Sequence, residues 1–332
     1  MSSIEDSKAG LGAEDKGNSD ATVSMSEATG DDLVEGKSQE HRSLWGDVWR
    51  QFRRHRGALV GLTILTLIVA GTILGPFIWP EDPFEITVSN ANKSPTWAHP
   101  MGTDQLGRDV MARVFRGGQI SLSVGLVAML FGLFIGTAVG VLAGFFRRVD
   151  GALMRLTDLF LALPILPLLL VIILLFRDPL QDKFGQSAGI FLLVVFVIGA
   201  TSWMQTARVV RGDVLAIKQQ EFVLAARSIG TRPRRLITRH IVPNVLSPVV
   251  VAASLGVASA ILTESALSFL GLGFPQDFPT WGRLLFDSKD YINLNPARVI
   301  WPGVMISLTV MSVNFIGDGL RDALDPKLRS KG

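Results

Sequence analysis

Residues 121–146 read SLSVGLVAMLFGLFIGTAVGVLAGFF. These 26 residues carry no charge, and about 20 are enough for a helix to cross roughly 30 Å of hydrocarbon. Backbone amides and carbonyls in lipid must be satisfied within their own segment, so only a helix suits an uncharged run of this length. Gly132, Gly136, Gly140 and Gly144 recur every fourth residue, leaving a groove along which a second helix can approach closely. The stretch is expected to sit inside a helical bundle.

Working outward, five more uncharged runs occupy 57–80, 159–176, 185–207, 241–263 and 299–317. Each reaches or approaches the spanning length. In the third span, Pro164 and Pro167 remove amide donors and predict a bent helix. The apolar share is 48%, charged residues are 18% and mean hydropathy is +0.38. That balance argues against two soluble domains, the usual expectation for 332 residues. With no cysteine, disulfides, thiolate metal sites and thiol nucleophiles are excluded.

The net charge of +3 hides a division, since residues 1–40 hold three lysines against ten acidic groups. This tail lacks an apolar period and is expected to be disordered. It also lacks the basic and apolar regions of a cleaved signal, so the N-terminus is expected to stay in the cytoplasm. The following segment, 41–57, places Arg50, Arg53, Arg54 and Arg56 beside Trp45 and Trp49 directly before an apolar run. That pattern fits a helix lying on an anionic leaflet rather than a nucleic-acid arm. With the N-terminus inside, inner segments hold twenty Lys and Arg and outer segments nine. The expected protein is an all-α integral membrane protein with six transmembrane helices and both termini cytoplasmic.

The inner segment EFVLAARSIGTRPRRLITRHIVPN, 221–244, has helical patterning of its own. Gly230 is a good helix stop, Thr231 can cap a second helix, and Pro233 suits a first turn. Leu236, Ile237, His240 and Ile241 line one face of that second helix, and Arg232, Arg235 and Arg239 gather on another. An amphipathic inner loop of this kind is suited to docking on a protein.

Ala225, Ala226 and Gly230, with Pro243 thirteen residues on, resemble the "EAA" loop of ABC importer permeases. Leu224 replaces the pattern's Glu, and His240 its Ile. Three further stretches resemble the dipeptide, oligopeptide and nickel permease family: HPMGTDQLGRDVMARVFRGGQISL (99–122), SALSFLGLGFPQDFPTWG (265–282) and NFIGDGLRDALDPKL (314–328). Gln119 departs from the basic residue that many members carry. The four stretches occur in family order across residues 40–330 or so.

The resemblance implies the second, C-type permease of a binding-protein-dependent importer, with six spans in the type I fold. Its partners would be a homologous permease, two cytoplasmic ATPase subunits and an extracytoplasmic substrate-binding protein, all working at a bilayer. It implies a plasma or inner membrane location of bacterial type. This chain has no G-x-x-x-x-G-K-[ST] phosphate loop, so it is expected to be no enzyme, with no cofactor of its own and no nucleic-acid partner. The expected cargo is di- or oligopeptides, with nickel or glutathione as alternatives in the same class.

The expected organisation is a tail at 1–40, an interfacial segment at 41–57, a first span at 58–79 and an outer loop at 80–120. A permease domain at 117–321 follows, with spans near 121–146, 156–176, 187–207, 245–264 and 299–317 and a coupling loop at 208–243. A cytoplasmic tail at 322–332 ends the chain.

Candidate residues follow from these motifs. Glu221, Ala225, Ala226, Gly230, Arg234, His240 and Pro243 are expected to couple to the ATPase. His99, Gly102, Thr103, Asp104, Gly107, Arg108 and Asp109 are expected to build a structural cap at the outer mouth, the glycines permitting tight turns and the charged groups cross-linking them. His99 with two carboxylates in a turn-rich stretch is weak evidence for a metal, and none is expected. Glu264, alone in its apolar stretch, either contacts substrate in the pathway or serves as a hydrogen-bonded helix-end carboxylate. Asp318, Arg321, Asp322 and Asp325 are expected to form caps and ion pairs at the inner end of the sixth span.

A secondary transporter or channel working without ATP is the rival from another class. It predicts paired mid-membrane ionisable residues or inverted repeats, and the sequence offers only Glu264 and no repeat. An intramembrane protease lacks both H-E-x-x-H and paired mid-span aspartates.

Overall fold

The computed structural model describes residues 44–324. The expected acidic tail, residues 41–43, Asp325 and the end of the C-terminal tail lie outside the described residues. What is described is helical apart from turns and one isolated β-bridge, Thr103 with Asp109.

Helix α1, Leu44–Arg54, turns its Val48 and Phe52, one turn apart, onto Ala58 and Ala323. Trp49 stays 52% exposed beneath the Arg53 guanidinium, the division of faces an interfacial helix needs. His55 separates α1 from α2, Arg56–Ile78, and its Nδ1 accepts from the Ala58 amide at 3.0 Å. That bond satisfies one of the orphan donors at the start of α2.

Helix α3, Val110–Phe145, is 36 residues long and begins inside the segment expected to be outer loop. Arg113 and Arg116 interrupt the hydropathy there but not the helix, which Asp109 caps by accepting from the Ala112 amide at 2.8 Å. Where the sequence predicts one bent third span, the chain forms two helices, α4 (Arg147–Ala162) and α5 (Ile165–Phe184), meeting at 87°. Pro164 supplies the break: it imposes an extended Leu163 and occupies the N-cap position of α5. Pro167 lies in the first turn of α5, where a missing amide costs no hydrogen bond.

Helix α6, Gln186–Ile217, continues ten residues beyond the uncharged run, taking the first part of the expected coupling loop into the span. After a short inner segment come α7 (Glu221–Ser228), α8 (Pro233–Leu236), a π-turn at Ile237–Ile241 and α9 (Val242–Phe269). On the far side α10, Trp281–Ser288, precedes α11, Ala297–Leu324. Helices α2, α3, α6, α9 and α11 are each long and apolar enough to cross a membrane, and the bent α4–α5 pair brings the number to as many as six.

Helix α3 is the centre of the bundle. A Cβ at Gly136 would fall 2.6 Å from the Trp203 carbonyl, one at Gly140 2.7 Å from that of Ala207, and one at Gly144 2.7 Å from Val214. A Cβ at Gly132 would strike Ser202. The four-residue glycine spacing thus lets α6 lie directly on α3. In lipid, where transfer from water contributes nothing to helix association, such close packing is the main attraction.

Polar ties reinforce the arrangement. Gln119 donates to the Thr72 carbonyl at 2.8 Å and so joins α3 to α2, work done without the basic residue usual at this position. Arg211 on α6 grips Asp150 on α4, one bond measuring 2.8 Å. Lys218 donates to the Gly144 and Phe145 carbonyls at 3.2 and 2.9 Å, placing positive charge on the C-terminal end of α3.

Candidate functional site

The inner loop is built around Gly230. Its φ of +80° lies in the left-handed region, which a residue with a Cβ enters only under strain. The Thr231 amide bonds the Ala226 carbonyl at 3.2 Å and the Gly230 amide bonds that of Arg227 at 3.0 Å. This pair of bonds is the Schellman closure of α7. The second helix starts one residue later than Thr231, with Arg232 as N-cap and Pro233 as the first helical residue. The following proline holds Arg232 extended, so the cap falls on Arg232 and not on Thr231.

Val223 and Ala226, three residues apart, turn inward with Leu236, Ile241 and Val245 onto Val210 and Val214. The opposite side carries Phe222, Leu224 and Ile229, 46, 48 and 84% exposed. Ala226, Ile229, Gly230, Thr231, Arg232, Arg235, Arg239 and His240 line a hollow of about 750 Å³. Glu221, Ala225, Arg234 and Pro243 are exposed, and the His240 ring lies 6.4 Å from that of Phe222. A rigid, double-helical element thus presents apolar side chains and guanidiniums together.

The outer motif is a knot of turns. Gly102 and Gly107 have φ of +77° and +79°, and a Cβ on either would collide with backbone of the segment from Thr87 to Lys93. Asp104 accepts from the Leu106 and Arg108 amides at 2.9 and 3.0 Å and from Arg108 Nε at 2.7 Å. Thr103 Oγ1 accepts from the Lys93 amide at 2.9 Å and donates to the Asn90 carbonyl. His99 Nδ1 lies 2.8 Å from Asp109 Oδ2, while Oδ1 of the same carboxylate caps α3. The carboxylates are thereby aimed at a guanidinium, an imidazole and amides, not at one common point.

Four charged residues with no place in the sequence reading complete this cap. Arg113 is 1% exposed and lies 3.7 Å from both Asp104 and Asp287. Arg283 pairs with Asp287 at 3.0 Å. Burial pushes the Asp287 carboxyl above the ordinary carboxylate range, with Arg283 and Arg113 pulling it back. Arg298 donates to Asn92 at 2.8 Å and to Gln105. The available signal was the spacing of Arg113, one helical turn beyond the capping Asp109.

Glu264 lies within α9 and is fully buried. Ser121 Oγ and Ser268 Oγ donate to it at 3.0 and 2.8 Å. Burial and these two serine bonds favour, of the two roles expected for Glu264, the hydrogen-bonded carboxylate. At the inner end, Asp322 faces His55 Nε2 at 3.7 Å, a pairing with the start of α2 in place of the expected local one. Asp318 and Arg321 are exposed.

Residues 129–330 match the family described as binding-protein-dependent transport system inner membrane component, and 43–95 match the N-terminal TM domain of oligopeptide transport permease C. The chain belongs to this family of transport-system inner membrane components. It is 39% identical over 293 residues to the oligopeptide transport system permease protein of Bacillus subtilis, covering 88% of this chain and 92% of that one. Identity to the dipeptide transport system permease protein of Alkalihalophilus pseudofirmus is 37%, over 87% and 91% of the two chains. A glutathione transport system permease protein of Pectobacterium atrosepticum is 36% identical over 87% and 93%. The fold resembles that of the inward-facing MetNI methionine ABC transporter, with TM-score 0.52, 19% identity and coverage of 63% of this chain and 95% of that one. This family member is therefore an inner-membrane ABC importer permease subunit with the type I fold.

Proposed function

We propose that this permease forms half of a peptide translocation path and is driven by ATP hydrolysed on partner subunits. Those partners are a homologous second permease, two cytoplasmic ATPase subunits and an extracytoplasmic substrate-binding protein. Both termini face the cytoplasm, with the basic inner segments. The observation that carries the reading is the Gly230 turn. Two short helices locked at a left-handed glycine, carrying exposed Ile229 and Phe222 beside a hollow edged by Arg232, Arg235 and Arg239, form a lever that a soluble ATPase can push. Movement of that lever is transmitted to α6 and α9, the spans on either side of it, which rock against the second permease.

Peptide cargo is supported by the oligopeptide and dipeptide permeases among the relatives. Glutathione is the second reading, on the strength of the relative that carries it. The outer knot serves as a rigid cap and the inner end of α11 as a brace to the start of α2.

Because the chain contains no cysteine, a single Ile229→Cys provides a clean probe. With the ATPase subunits co-expressed, a short bifunctional reagent should join the two chains, and ATP should change the yield. Failure to cross-link in an assembled, active transporter would overturn the assignment of this loop.

A further inference from the structure

Trp97, in the outer knot, is 100% exposed. The Thr96 amide bonds the His99 carbonyl at 2.9 Å and the His99 amide bonds that of Thr96 at 3.1 Å, so Trp97 and Ala98 form the tip of a closed two-residue turn. Its base is anchored. The Gly102 amide also bonds the His99 carbonyl, at 2.8 Å, and the His99 ring meets Asp109 at the cap of α3. Beside this turn, Asn295 donates to the Lys93 carbonyl at 3.1 Å. That bond ties in the connection between α10 and α11, where Leu294 is 73% exposed.

Single exposed apolar residues are ordinary, but an indole held wholly in water on an ordered turn has the character of an interface anchor. Its backbone is already fixed, so a partner that covers it gains contact area at little further entropy cost. Lipid is a poor fit. Helix α3 starts at Val110, eleven residues before the uncharged run at Ser121, which is about 16 Å along its axis, or about 12 Å with a tilt of about 40°. Headgroups extend only about 5–8 Å beyond the hydrocarbon. The turn carrying Trp97 is thus rooted in the aqueous layer, where the fitting partner is a soluble protein. Residues 94–98 carry no charge, so the matching surface is an apolar pocket with an acceptor at its rim for the indole N–H. We propose that Trp97 docks into such a pocket on the extracytoplasmic substrate-binding protein, with Leu294 as a second contact. This assignment rests on the orientation and partners proposed above.

The test uses the whole transporter in proteoliposomes, titrated with the substrate-binding protein that supports its uptake, loaded with labelled oligopeptide. Trp97→Ala should raise the half-saturating concentration of binding protein at least about tenfold and leave the rate at saturation unchanged. Trp97→Phe should recover most of the loss, and Leu294→Ala should act in the same direction by a smaller factor. Since the indole is fully exposed, the Trp97 variants should melt with wild type. Ala98→Cys, unique in a chain without cysteine, carries an environment-sensitive fluorophore. Its emission should shift when binding protein is added and stay unquenched by brominated lipid. Quenching by lipid without a response to binding protein would place the turn in the outer leaflet, and cross-linking from this position to the second permease alone would make it a contact between permeases. Either result overturns the proposal, as does an unchanged half-saturating concentration in Trp97→Ala while wild type takes up peptide normally. Wild-type uptake that ignores the binding protein would overturn the role proposed for the chain, and this assignment with it.

Discussion

Ser121 Oγ donates to the Glu264 carboxylate at 3.0 Å and accepts from the Trp281 amide at 3.2 Å. One hydroxyl on α3 thereby joins α9 to the first turn of α10. Ser121→Ala leaves a buried amide and a buried carboxylate each short of a partner, at an expected cost of about 1–3 kcal/mol. Thermal unfolding of the purified chain checks this, and a change under about 0.3 kcal/mol would show the contact to be incidental.

Glu264→Gln keeps the shape but exchanges acceptor capacity for donors that meet Ser121 and Ser268. Any fall in uptake should therefore be the same fraction for peptides of different charge and length. Initial uptake rates measured across a panel decide it. A loss confined to certain peptides would restore Glu264 to the pathway.

Gly136 faces the Trp203 carbonyl with no room for a Cβ. Gly136→Val should destabilise the α3–α6 pair by about 1–3 kcal/mol through overpacking. Gly212→Ala, where a Cβ meets nothing within 4 Å, is the matched control and should be neutral. Equal melting temperatures for the two variants would count against a close-packed α3–α6 seam.

Replacing Gly230 with valine forces a β-branched residue into φ of +80°, straining the turn by about 1–2 kcal/mol. The chain should still insert, since Gly230 is exposed and lies outside the spans. Uptake should fall at least tenfold while ATP hydrolysis continues, which parallel transport and phosphate-release assays measure. Wild-type uptake would remove the loop from the coupling mechanism.

The Asp287 carboxyl is held above its usual range, chiefly by burial. A group that binds its proton more readily when folded stabilises most at low pH. Its contribution declines as pH rises from the unfolded value near 3.9 through the raised folded value. The stability of wild type relative to Asp287→Asn should therefore decrease from about pH 4 upward. A difference constant over that range would exclude a raised Asp287.

Much of this architecture is written in local patterns. The four-residue glycine spacing from Gly132 to Gly144 announces a helix contact, and Gly230 with Pro233 announces a turn between two helices. What escaped the sequence depends on partners distant in the chain. Helix α3 extends outward past Arg113 because Asp104 and Asp287 neutralise that side chain, and one of the two lies 174 residues away. Pro164 predicts a bend but not an angle of 87°, which is set by the packing of α5 on α6 and the Arg211–Asp150 tie. Glu264 was ambiguous for the same reason, since its burial is decided by Ser121 on another helix.

The role proposed for this chain is that of a permease subunit in an ATP-driven peptide importer. Reconstitution of the permease pair and its ATPase subunits in proteoliposomes, with binding protein and labelled oligopeptide in the compartment facing the outer cap, tests it directly. Peptide transport should require ATP at the inner face, be blocked by vanadate and be lost when this chain is omitted. Peptide flux that persists without ATP or without the ATPase subunits would contradict it.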